Sequence, residues 1–123
     1  MSISGKALAA VVLLAASAPL APLDAGEKLT ADEIAALFPG EFEAIWKDEH
    51  EVSVIAGSDG KVRGSSGMMS DSGQWSIDGD RLCVAFYWWT RNRPRCTEVV
   101  RQAGWYLGMH NSKGKPRVRF RPQ

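Results

Sequence analysis

Between its two cysteines, Cys83 and Cys96, the chain carries Tyr87, Trp88, Trp89, Arg91, Arg93 and Arg95. Two thiols can form a disulfide, supply part of a metal site or act as a nucleophile. A metal pair wants further Cys or His ligands nearby and a catalytic thiol wants a base, and neither stands beside these residues. Planar aromatic faces next to guanidinium groups suit sugar rings, anionic head groups or a protein hot spot. The candidate binding residues are therefore Tyr87, Trp89, Arg91, Arg93 and Arg95, with Phe86 and Trp88 assigned to the core. Pro94 stiffens the segment and lowers the entropy it would lose on binding.

The other chemically capable residues are scattered. His50, His110, Glu98, Asp78 and Asp80 are the candidates for general acid or base work, and their spacing forms no recognisable constellation. His50 sits in KDEHE, where a solvated strand end accounts for the acids around it. Ser65, Ser66, Ser70 and Ser72 lie in a Gly-Ser stretch without the GxSxG turn that exposes a nucleophile. Met68, Met69, Met109 and His110 are soft or borderline ligands, but they form two pairs far apart in sequence, and methionine commonly fills gaps in a core. The pattern points away from an enzyme, and no cofactor or metal is expected.

The setting of the cysteines follows from the N-terminus. Residues 1–25 read MSISGKALAAVVLLAASAPLAPLDA, in which one lysine precedes a short apolar run and then small residues and prolines, the layout of a secretory signal peptide. The run is short for a bilayer span, and no cysteine follows it to carry a lipid. Cleavage is expected after Ala25, leaving residues 26–123 as one periplasmic or secreted domain with no transmembrane segment. A domain this small buries a modest share of its surface, and in an oxidising compartment two cysteines are most simply read as a Cys83–Cys96 disulfide.

Charge is balanced overall, with a formal net of +1, yet divided along the chain. Residues 26–80 hold four basic and twelve acidic side chains; residues 81–123 hold ten basic and one acidic. Acidic strands lying beside basic ones would absorb much of this difference. The basic C-terminal tail HNSKGKPRVRFRPQ reads as a solvated, frayed end; its alternative is an extended segment with Lys113, Lys115, Arg117, Arg119 and Arg121 on one side, facing an anionic partner.

The elements that must position these residues are mostly strands. Thr30 and Glu33 have capping-box spacing, and Ile34, Leu37 and Phe38 fall on one face of a short helix that Pro39-Gly40 stops. Phe42, Ala44 and Trp46 alternate in one strand, and Val52, Val54 and Ala56 in the next. GSDG then turns the chain into KVRGSS. GSSGMMSDSG, residues 64–73, is expected to be a flexible loop. QWSI leads into a tight turn at Asp78-Gly79 and a partner strand over Arg81–Trp89, apolar on both faces. RCTEVVR and WYLGM follow. The spacing predicts a mainly β fold: a short N-terminal helix followed by an antiparallel β-meander forming a small barrel or sandwich.

The segments LTADEIAALF, SDGKVRG, SGQWSIDGDRLC, RCTEVV and GWYLGM resemble a family of small periplasmic proteobacterial proteins known only as a domain of unknown function. That resemblance implies an exported, calycin-like β fold with one disulfide and brings no catalytic residues with it. FYWWTRNRPR is more aromatic and basic than the family pattern.

The expected function is that of an exported soluble binding or interaction domain of the cell envelope. Its aromatic and basic hairpin tip would contact an anionic polysaccharide, a lipid head group or a partner envelope protein, with nucleic acid unsuited to an exported chain. The alternative is a calycin-like barrel holding a small ligand inside. Chain length weighs against it, because small barrels fill their interiors, here with Phe86, Trp88, Trp75 and Trp105.

Overall fold

The structure, a computed structural model, describes residues 26–47, 49–109 and 116–123. Alternating apolar residues produce strands β1 (Glu27–Lys28), β2 (Gly40–Trp46), β3 (His50–Ala56), β4 (Lys61–Ser66), β5 (Met69–Asp78), β6 (Arg81–Phe86), β7 (Arg95–Gln102), β8 (Trp105–Met109) and β9 (Pro116–Pro122), most of them joined by two- to four-residue turns and β6 to β7 by an eight-residue loop, with one helix, α1 (Ala31–Leu37). Strands β2 to β9 pair antiparallel in sequence order, and β9 returns to β2, so the meander closes into an eight-stranded barrel. This up-and-down, calycin-like closure leaves no long unpaired edge. The expected signal peptide, residues 1–25, lies outside the described residues. Among the described residues no helix is long and apolar enough to cross a membrane.

One end of the barrel is plugged. Thr30 accepts from the Glu33 N–H and the Glu33 side chain accepts from the Thr30 N–H, so the capping box forms and starts α1. Asp80 on the β5–β6 turn accepts from the Ala31 N–H, tying the helix to the sheet. Strand β1 continues along β7 past the point where β6 leaves it, through Lys28↔Val100, which brings Leu29 and Ile34 beneath the barrel against Val99. All three are essentially inaccessible, and each contributes on the order of 1.5–3 kcal/mol by leaving water. Phe38, Phe42, Trp75 and Phe120 stack above them, with ring centroids 4.5–6.0 Å apart.

The disulfide joins directly opposed residues of β6 and β7. The charge division is partly internal: Glu43 on β2 pairs with Arg121 on β9, Glu27 and Glu33 reach Arg101, and Lys28 reaches Glu98.

Three sequence expectations are overturned. GSSGMMSDSG is two strands joined by a tight turn at Gly67-Met68, not a loop. Gly64 and Gly73 answer close approaches: a Cβ at Gly64 would lie 2.6 Å from the Trp89 ring, and one at Gly73 would overlap the Ala85 carbonyl oxygen. The tail is not frayed from Pro116 on, because β9 supplies the closing strand; residues 110–115 lie outside the described residues. Trp105 stands on the outer wall under Arg119 and Arg121, at 5.2 and 4.3 Å from guanidinium to ring centroid, and so fills none of the interior.

Candidate functional site

Among the described residues, the end opposite α1 is open. The up-and-down topology brings the β2–β3, β4–β5 and β6–β7 connections together there, around a cavity of about 510 Å³ that runs down to the aromatic plug. Alternation along the strands puts Ala44, Val52, Val54, Val62, Val84 and Val118 on its wall, with Phe86 and Trp89 near the top. Polar and cationic side chains gather at the mouth: Lys47 from the β2–β3 turn, His50 and Ser66 from strand ends, Arg95 from the start of β7 and Arg117 from β9. The volume is that of a typical small-molecule pocket. The valines and the alanine on the wall are small enough to leave open a space that large side chains were expected to fill in a chain this short.

The mouth is shaped by Asp71, a residue not singled out in the sequence. It lies on β5 and is 6 % exposed. Its Oδ1 accepts from the Ser72 N–H and its Oδ2 from both the Trp88 and Trp89 N–H groups, each at 2.8 Å. Burial pulls its pKa up, but the N–H groups of Trp89, Trp88 and Ser72 together outweigh that and hold the carboxyl below the ordinary aspartate value of 3.8. Thr90, also buried, closes the turn from within: its hydroxyl accepts from the Phe86 N–H and donates to the Phe86 carbonyl, at 2.9 and 3.0 Å. The Asn92 N–H donates to the same carbonyl, and Arg91 and Asn92 adopt positive φ.

This turn corrects the assignment of the aromatic residues. Strand β6 ends at Phe86, and beyond it the two-residue alternation that grouped Trp88 with Phe86 no longer holds. Trp88 is 71 % exposed and packs edge-on against exposed Tyr87, whereas Trp89 turns in against Phe86, centroids 5.0 Å apart, and lines the cavity. Of the five candidate binding residues, the structure brings Trp89 and Arg95 to the mouth and leaves Tyr87, Arg91 and Arg93 on the outer surface of the loop. Sequence reasoning missed Asp71, Thr90, Lys47 and Trp46 as mouth residues. Arg117 was noticed only as part of a tail and His50 only as a strand end; His50 lies 3.3 Å from Glu49. His110 lies outside the described residues; the described acid and base candidates do not converge, since Asp80 binds the helix and Glu98 pairs with Lys28 on the outer wall.

Comparisons with protein-family models, curated proteins and solved structures give no match.

Proposed function

We propose that the protein is an exported, non-enzymatic binding protein whose barrel takes up a small amphiphile, the apolar part inside and an anionic group at the mouth. The observation that carries this reading is the 510 Å³ cavity, apolar on its walls and rimmed by Lys47, Arg95 and Arg117. An apolar ligand gains by leaving water for such a wall, and guanidinium groups at a half-wet rim bind carboxylate or phosphate through charge-assisted hydrogen bonds. A disulfide supports an oxidising compartment.

The reading is tested by titrating the protein with dodecanoate, dodecanol and dodecylammonium, following tryptophan fluorescence or heat. Dodecanoate is expected to bind best. Val54→Trp, which fills the cavity, abolishes binding of both dodecanoate and dodecanol without unfolding the protein; Arg95→Gln weakens dodecanoate about tenfold and leaves dodecanol unchanged. A folded Val54→Trp variant that binds dodecanoate like the wild type overturns the interior site, and preference for the ammonium compound overturns the anionic selectivity.

A further inference from the structure

We infer that the open end of the barrel is also a docking face for a bilayer containing anionic lipids. Five large apolar side chains are exposed among the described residues; one, Ile55, is on the barrel wall, and the other four, Met68, Met69, Tyr87 and Trp88, stand together at the open end. Two hairpin ends bring them there. The Tyr87 N–H donates to the Ser72 carbonyl at 2.9 Å and the Trp88 N–H to Asp71, so the β6–β7 loop lies against β5 just beyond the Gly67-Met68 turn.

Their exposure is built in. A buried carboxylate and a buried hydroxyl fix the turn in the one conformation that sends Trp89 inward and Trp88 outward, although both are equally able to fill space inside. Solvent-facing aromatics held in place in this way lose little entropy when they meet a surface.

Charge selects that surface. Arg91 and Arg93 project from the same loop, with Arg95 and Lys47 at the mouth beside them. Among the described residues the acids of this end are Glu49, next to His50, Glu51 on the neighbouring hairpin, and Asp71, whose oxygens are taken up by backbone donors. Tyrosine and tryptophan rings settle at the head-group level of a bilayer, methionine accommodates its irregular apolar region, and arginines pair with lipid phosphates. Met68, Tyr87, Trp88, Arg91 and Arg93 line no part of the cavity, so this face can be altered without touching the interior.

The test is co-sedimentation with vesicles of phosphatidylcholine alone and of phosphatidylcholine with phosphatidylglycerol. The wild type is expected to sediment with the anionic vesicles and to be released by salt. Met68→Ser/Tyr87→Ser/Trp88→Ser and Arg91→Gln/Arg93→Gln are each expected to lose about tenfold in partitioning, with thermal midpoint and dodecanoate affinity unchanged because these side chains face solvent. Brominated lipids should quench the wild type more than Trp88→Ser. Absence of wild-type sedimentation, or equal sedimentation by the apolar triple variant, overturns the docking face; capture of an envelope protein without vesicle binding does so as well, by assigning the surface to a protein partner.

Discussion

Replacing Asp71 removes the acceptor on which the β6–β7 loop is hung. In Asp71→Ala the N–H groups of Trp88 and Trp89, both bonded at 2.8 Å in the wild type, lose their partner in a part-buried setting. Each buried donor left without an acceptor costs about 1–3 kcal/mol, and the Ser72 bond, being between adjacent residues, adds little, so the loss is about 2–6 kcal/mol. For a domain of this size that is a large part of total stability. Asp71→Asn keeps one acceptor oxygen and sets its amide against donors on the other side, and should cost about 1–3 kcal/mol. Urea unfolding followed by tryptophan fluorescence measures both, and hydrogen exchange at the Trp88 and Trp89 amides locates the loss.

The same carboxylate fixes a pH dependence with a definite sign. Its native pKa is depressed, so its contribution is complete above the unfolded value of about 3.9 and is lost as pH falls through the native value. The stability gap between wild type and Asp71→Asn should therefore be constant near neutrality and narrow on acidification below about pH 4. A gap that stays constant to the lowest pH at which both fold, or amide protection unchanged in Asp71→Ala, would refute the anchoring role.

Two further outcomes follow from the frame around the loop. The disulfide closes a span of 13 residues, and Cys83→Ser/Cys96→Ser is expected to lower stability by about 3 kcal/mol on the chain-entropy estimate, read from urea midpoints with and without reductant. Gly64→Val puts a Cβ within 2.6 Å of the Trp89 ring; it should cost about 1–3 kcal/mol and weaken dodecanoate binding by displacing Trp89, whereas Ser65→Val, on the outer face, should do neither.

What the sequence made legible was local. The Thr30–Glu33 capping box is a four-residue pattern and forms. The Asp78-Gly79 signal marks the right hairpin, although the two turn residues are Gly79 and Asp80, with Gly79 at positive φ and Asp78 paired to Arg81. The Cys83–Cys96 pairing required only that consecutive strands lie side by side, and the regular spacing of short strands was enough to expect a meander. The illegible parts were set at long range. Glycines 64 and 73 look like loop residues because the rings and backbone that demand them lie some 12 to 25 residues further on. The fate of Trp88 and Trp89 is decided by a carboxylate 17 and 18 residues earlier, which breaks the alternation after Phe86. The tail becomes the closing strand by pairing with β8 on one side and, at long range, with β2 at the other end of the domain.

Asp71 also ties the two surfaces of the mouth to each other. Trp89 lines the cavity and Trp88 faces outward, yet their consecutive N–H groups share one carboxylate oxygen, so a ligand that shifts Trp89 must either stretch that anchor or carry Trp88 with it. If the turn moves as a unit, dodecanoate changes the affinity for anionic vesicles, and by linkage the vesicles change the affinity for dodecanoate by the same factor. If the anchor holds, the two affinities are independent. Measuring vesicle partitioning with and without saturating dodecanoate separates these cases, and Asp71→Asn sharpens the comparison: loosening the anchor should remove a coupling present in the wild type. A wild-type coupling that survives in Asp71→Asn would mean that communication runs through the barrel wall and not through this turn.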